Sequence, residues 1–262
     1  MMRILILAAL PQEHGPYRRL SRGWRLISRR PLLEYARRDA AGELRLVETG
    51  MGGTGLGDAL AHWRNAPPPD AVISMGFCGS MESTFPVGQV ILGTSFQRAD
   101  PSREPSLSPA LRLRPPAEFE HFCSLYGVRP ARVITLDRPA AKGLLKSLSP
   151  GPGLVADMES FHIGRFAMEL DRPFLCLRSV SDASVHEIDF DLGDLTDSRG
   201  RVRIARVLRS VGKRPAVVGP FLQSWRRSRT AGRSLGRVLG ALLDGSPSSL
   251  HGMIEGCRLS LS

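Results

Sequence analysis

The stretch from Val155 to Ser184 constrains this chain more than any other, because it joins strongly apolar segments to carboxylates at fixed places. Asp157 and Glu159 open a helix that carries Met158, Phe161, Ile163, Phe166, Ala167 and Met168. Apolar residues on most sides predict a helix buried in the fold rather than laid on its surface. Phe174 to Val180 then reads as an apolar strand ending at Asp182. Sheets of α/β type bind ligands beyond the carboxyl ends of their strands. An acid at a helix start and an acid at a strand end can therefore be aimed into one crevice. Arg178 sits inside the apolar strand and must find a partner, either an ion pair within the fold or a ligand.

The rest of the chain supplies a frame for such a crevice. Ile4 to Ala9 is a continuous apolar strand, and Pro11 stops it and opens the next helix, so Glu13 falls just past a strand end. Arg18 to Arg38 reads as basic and irregular, with Trp24 and Ile27 as inward anchors. Leu44 to Thr49 alternates like a half-buried strand, and Asp58 to Arg64 is helical. Ala71 to Met75 is a strand running into Gly76-Phe77-Cys78-Gly79-Ser80, and Gly88 to Gly93 a short strand. Asp100 to Pro116, rich in proline, serine and arginine, reads as a long loop, of the kind that is functional or mobile. Helices are expected at Glu118 to Leu125 and Ala140 to Leu148, with a strand at Arg132 to Leu136 between them. Ile188 to Gly200 reads as acidic and turn-like, and helices follow at Val202 to Val211 and Phe221 to Leu243. Strands alternating with helices, without a repeat period, predict a three-layer α/β/α sandwich around a central mixed sheet. One domain is expected over 1–245, basic and helical in 199–245, with 246–262 a poorly ordered tail.

Charge narrows the partners. The net charge of +11 is concentrated in 198–243, which holds twelve arginines and lysines and no acid. No nucleic-acid-reading motif accompanies it, so nucleic acid is not expected as a partner. A solvated basic face is one reading. The other is peripheral membrane contact through 221–243, where Trp225 and leucines oppose the arginines. The apolar run Ile4 to Leu10 is too short to span a bilayer and lacks a small-residue cleavage site, which predicts a cytoplasmic protein. Cys78, Cys123, Cys176 and Cys257 have no paired spacing and read as reduced thiols, and His14, His162 and His186 have no metal-like spacing.

Gly50-Met51-Gly52-Gly53-Thr54-Gly55 matches the dinucleotide pattern G-x-G-x-x-G between a strand and a helix. That pattern belongs to a first strand and needs an acid closing the next one; neither holds here. No cofactor is expected. Two readings of the turn stand: a tight backbone passage into the helix, or amides that approach a ligand.

Five separated stretches carry a family resemblance. Ile6-Leu7-Ala8-Ala9-Leu10-Pro11-Gln12-Glu13, Thr49 to Gly53, Ile73 to Gly79, Asp157-Met158-Glu159-Ser160 and Arg178-Ser179-Val180-Ser181-Asp182 together resemble the nucleoside phosphorylase superfamily in order and spacing. The pattern is most similar to 5′-methylthioadenosine/S-adenosylhomocysteine nucleosidases, with futalosine hydrolases and hopanoid-associated phosphorylases nearby. The resemblance implies cleavage of the N-ribosidic bond of an adenine-type nucleoside by water. Phosphorolysis, on a purine nucleoside or a lipid-linked one, is the alternative, and a homo-oligomer is implied too.

By the same resemblance, Glu13 acts as general base on water and Asp182 as the acid that protonates N7 of the leaving base. Glu159 accepts the 2′- and 3′-hydroxyls, and Gly52, Gly76, Phe77, Met158, Arg178 and Ser181 complete the substrate site. Such chemistry needs a carboxylic acid kept protonated by burial and an ionised acceptor for the sugar, which a helix N-terminus favours. The bland alternatives are a Glu13 paired to Arg18 or Arg19, a Glu159 serving only the helix dipole, and an Asp182 capping a turn or holding Arg178. Two departures stand out. Phosphorylases carry a Gly-Asp-Pro-x-Arg-like turn after the first strand, and Ala9-Leu10-Pro11-Gln12-Glu13 in its place favours water over phosphate. No aromatic near Asp137-Arg138-Pro139 is placed to stack on a base.

Overall fold

The structure, a computed structural model, describes residues 2–39, 42–50, 53–100, 105–137, 140–182, 218–245 and 247–261. The expected helix at Val202 to Val211 and the acidic turn at Ile188 to Gly200 lie outside these residues.

Strand β1 (Met2–Ala8) leads into helix α1 (Pro11–Leu20), then a meander of β2 (Arg25–Ser28), β3 (Leu33–Asp39) and β4 (Gly42–Glu48). Helix α2 (Gly53–Arg64) and the long strands β5 (Ala71–Ser80) and β6 (Val90–Asp100) follow. Next come β7 (Ser106–Leu107), β8 (Leu111–Leu113), α3 (Ala117–Leu125), β9 (Arg129–Leu136) and α4 (Lys142–Leu148). β10 (Leu154–Asp157), α5 (Ser160–Glu169) and β11 (Phe174–Asp182) form the stretch that opened the sequence reading. The described chain ends with α6 (Val218–Leu243), α7 (Pro247–Glu255) and β12 (Leu259–Leu261).

All strands belong to one mixed sheet. β1 lies parallel to β4 and β5, and β5 parallel to β11, so their carboxyl ends share one edge. β5 is long enough to pair twice: its first half with β1, its last residues, Gly79 and Ser80, antiparallel with β10. β11 pairs with β6, β6 with β9 and β9 with β10, so β5, β11, β6, β9 and β10 close into a ring. β10 and β11 both pair with β5, so their ends stand beside the same strand.

The pleat of β11 separates the layers. Alternate residues point to opposite faces of a strand. Phe174, Cys176 and Arg178 face α5, as contacts from Gly164 and Ser160 mark. Leu175, Leu177 and Ser179 are left for the opposite face, where α6 packs on α1 and the sheet. On the α5 side α2 is tied in by Arg64, which reaches Glu169 at 2.8 Å and lies over the Phe166 ring. The result is the expected three-layer α/β/α sandwich.

Three expectations are corrected. Arg18 to Arg38 is a helix end and a β-hairpin, not irregular. Charged residues on an outer hairpin obscure alternation; edge strands carry charge because it discourages pairing with another chain. Asp100 to Pro116 holds β7 and β8. The tail beyond Gly245 folds: β12 pairs with β8, and α7 buries Leu250, Met253 and Ile254, with Cys257 buried just beyond. Those four positions follow helical spacing, and Pro247, which reads as a turn signal, is the first residue of the helix.

Candidate active site

Glu13 is placed by β1 and the first turn of α1 and is only 3% exposed. Its Oε2 accepts the backbone N–H groups of Ala9 and Leu10, both at 2.8 Å, and its Oε1 accepts that of Phe77 at 2.9 Å. The expected alternative, a pair with Arg18 or Arg19, is replaced by this amide clamp. Burial pushes the Glu13 carboxyl up, against the opposing pull of Arg178 and the three amides.

Arg178 organises the neighbouring acids. It is 1% exposed, and Nη2 contacts Asp157 Oδ2 at 2.9 Å while Nη1 lies 3.5 Å from Glu159 Oε2. Nε donates to Ser160 Oγ at 3.0 Å, and Nη2 also donates to Ser74 Oγ at 2.9 Å. Burial works against its charge, but Asp157, Cys176, Glu159 and Glu13 hold its pKa above the ordinary arginine value. Arg178 is thus an ion-pairing centre enclosed by the fold.

Asp157 rather than Glu159 caps α5. Its Oδ2 accepts the Ser160 N–H at 3.1 Å and the Ser160 hydroxyl, and its Oδ1 accepts Thr135 Oγ1–H at 2.7 Å. Thr135 Oγ1 accepts the Phe161 N–H at 3.0 Å in turn. Glu159 occupies the N-cap position without a side-chain cap, so its carboxylate is available to the crevice. At 9% exposure, burial pushes its pKa up to about 8, Arg178 opposing and Asp157 and Glu13 reinforcing. The expectation that a helix N-terminus favours ionisation is thus outweighed by desolvation.

Glycine 76 makes the junction possible. A methyl group there would sit 2.0 Å from Arg178 Nη1 and 2.9 Å from Glu13 Oε1. Glu13, Arg178 and, through it, Glu159 therefore meet where β5 lacks a side chain. Phe77, Met158 and Ser181 are half-buried. Gly52 lies outside the described residues. Gly55 is as tight: its added methyl would lie 2.0 Å from Thr49 O, and Gly50 has φ +75°.

Asp182 stands further along the same edge. A bulge between Val180 and Asp182 brings it opposite Gly79 on β5, and bulges re-aim side chains beside active sites. Among the described residues its partner is Lys142, whose Nζ, from the start of α4, lies 3.0 Å from Asp182 Oδ2. Sequence reasoning missed Lys142, Ser74, Thr135 and Ser160. Ser160 follows Glu159 directly and was legible as a cap partner; the others carry no local signal. His14, expected as a packing residue, contacts Glu48 at 3.1 Å in the interior. Asp137 pairs with Arg98 and lies 3.4 Å from His162, while Arg138 and Pro139 are outside the described residues.

A three-layer α/β sandwich with buried carboxylates collected at the carboxyl ends of β1, β5, β10 and β11 defines the class. The chain matches the model of the phosphorylase superfamily over residues 3–211 and belongs to that family, whose enzymes act on glycosidic bonds. Solved structures share its fold. One is a 5′-methylthioadenosine/S-adenosylhomocysteine nucleosidase from Neisseria meningitidis in complex with methylthio-immucillin-A. It is 17% identical, covers 92% of this chain and 100% of its own, and has a TM-score of 0.62. Futalosine hydrolase of Helicobacter pylori is 11% identical over 93% of this chain and 97% of its own, with a TM-score of 0.65. A putative 5′-methylthioadenosine/S-adenosylhomocysteine nucleosidase from Francisella philomiragia is 15% identical over 94% and 100%, with a TM-score of 0.66.

Proposed function

We propose that the crevice cleaves the N-ribosidic bond of a purine nucleoside with water. The observation that carries this reading is the meeting of Glu13 and the Arg178-held Glu159 at Gly76, with Asp182 further along the same strand edge. Water attacks the anomeric carbon as the bond to N9 breaks, and the electron pair of that bond drains into the base. Asp182 gives a proton to N7, and Glu13 takes the proton that water loses. Exchange with solvent then resets both acids. Glu159, once ionised, accepts the two ribose hydroxyls and holds the ring as positive charge develops on it.

Support for water over phosphate comes from the first turn. Glu13 Oε2 accepts two backbone amides there and Oε1 accepts that of Phe77 on β5, and the turn offers an acid where a phosphate site needs a cation. The structurally similar nucleosidases and futalosine hydrolase favour the same side. The sequence resemblance points to an adenine-type base. The test is incubation with purine nucleosides with and without phosphate. Free base and free ribose without phosphate are expected; base release only when phosphate is present would overturn hydrolysis.

A further inference from the structure

Asp157 lies two residues before Glu159, yet the fold puts the two carboxylates to different use. The side chain of Asp157 is fully enclosed, against 11% exposure for that of Glu159. Thr135 and both donors of Ser160 hold the Asp157 carboxylate, and Arg178 Nη2 meets it at 2.9 Å. Ser160 Oγ accepts Arg178 Nε, and Ser74 Oγ accepts Nη2 as well. Among the described residues, Nη1 alone is left towards Gly76, where Glu13 lies and where Glu159 stands 3.5 Å away. An arginine fork grips a carboxylate best through two parallel bonds. Glu159 is denied that arrangement, because Asp157 occupies Nη2.

We propose that Asp157 is a positioning residue for the ribose acceptor: by occupying Nη2 of Arg178 it leaves Glu159 one long contact with the cation, and so keeps the Glu159 oxygens open to the ribose hydroxyls. The inference rests on the nucleosidase reading above for the task of Glu159 and names the residue that regulates it. Among the described residues, the charged groups that face Glu159 are Arg178 of β11, Asp157 of β10 and Glu13 of α1. The thiols of Cys176 and Cys78 face Arg178 in turn, and burial pushes both up, so they stay neutral. Arg178 favours the ionised form of Glu159. Asp157 opposes it twice, by its own negative charge and by sharing the cation. Without the Asp157 charge, Arg178 would pair fully with Glu159 and ionise it at lower pH. A Glu159 held in that way has fewer lone pairs to offer the sugar.

Asp157→Asn keeps the size of the side chain and removes its charge. The Glu159 carboxyl can be titrated by infrared difference spectroscopy and recognised by its loss in Glu159→Gln. In Asp157→Asn that titration is expected at least about one pH unit to the acid side of the wild-type value, which lies near 8. The rising limb of kcat/KM on a purine nucleoside should move with it, while the plateau falls about tenfold as Glu159 turns from the ribose to Arg178. Plain structural damage would lower kcat/KM at every pH and leave the limb in place. Asp157→Glu, which retains the charge one methylene further out, should lower the plateau and keep the wild-type limb. An unmoved titration in Asp157→Asn would overturn the proposal, as would a limb displaced equally by Asp157→Glu. The spectroscopic readout needs no turnover. An acid displacement in a protein that releases no base from purine nucleosides would overturn the nucleosidase reading and uphold the role of Asp157. Base release with an unmoved titration would do the reverse, and neither would overturn both. Should Asp157→Asn fail to fold, Arg178→Lys decides: its single ammonium serves one carboxylate at a time, so Asp157 should keep it and the Glu159 titration should move to the basic side. Movement to the acid side would overturn the proposal.

Discussion

Arg178 is paired with Asp157 and Glu159 inside the fold, and Glu159 is where the effect of that enclosure can be measured. Its pKa is pushed up to about 8 by burial, from the ordinary 4.5. A carboxyl raised on folding contributes stability below pH 4.5 and loses it as pH climbs through about 8. Glu159→Gln removes that loss, so its melting temperature relative to wild type should improve between pH 5 and pH 8.5. A constant difference across that range would refute the raised value. Activity should run the other way, since the ionised form holds the ribose: kcat/KM is expected to rise with an apparent pKa near 8. Asp182→Asn should lower turnover on the order of 10²-fold or more, the general-acid contribution, while still binding product base. At this scale the three acids were legible in the sequence because each follows an apolar strand or opens an apolar helix. The partners of those acids were not. Arg178 inside a strand announced that it needed countercharge, but Ser74, Thr135 and Lys142 come from elements that only the sheet brings together.

At the scale of elements, α1 carries Glu13 and is itself held by α6. A methyl group at Gly232 of α6 would lie 2.5 Å from Gln12 O, and one at Gly236 would lie 2.9 Å from Tyr17 N. Both contacts are to backbone, which cannot swing aside as a side chain can. Gly232→Ala should therefore displace α1 next to Glu13 and loosen the amide clamp. A fall of about tenfold or more in kcat/KM, in a protein that still folds, is expected from a shift of catalytic geometry. Gly240→Ala is the control, because nothing but the Asp244 carboxylate lies near its added methyl, at 3.7 Å. Equal activity in the two variants would mean that α6 does not position α1. The amphipathic stripe of this helix was legible: Leu235, Val238, Leu239 and Leu242 are buried and Arg226, Arg229, Arg233 and Arg237 exposed. Trp225, expected among the apolar stripe, is 45% exposed instead. Periodicity identifies a face, not the neighbour that covers it, and the glycines that permit the α1 contact look like helix-weakening residues when read alone.

For the molecule as a whole, the strand closure and the C-terminal segment determine how the sheet is finished. Short apolar runs revealed most strands of the ring, yet nothing local shows that β5 pairs on both its halves, or that β12 joins β8. Such pairings are long-range. The segment after Gly245 was misread because its apolar residues are few, but those few are well spent. Leu250, Met253 and Ile254 are buried in the main core, and Phe174 N–H at the start of β11 donates to Cys257 O at 2.7 Å. Full burial of one such side chain is worth about 1.5–3 kcal/mol, so removing three takes away a large part of the roughly 5–15 kcal/mol by which domains are stable. A chain ending at Gly245 should therefore melt far below wild type or fail to accumulate as folded protein. Ile254→Ala is the milder probe, expected to cost about 2–5 kcal/mol while leaving kcat/KM per folded molecule unchanged, because α7 contributes no residue to the crevice. Chemical denaturation of the two proteins, read beside base release at a temperature where both are folded, measures each quantity separately. A truncated chain as stable as wild type would mean that β12 and α7 rest on a core already complete without them.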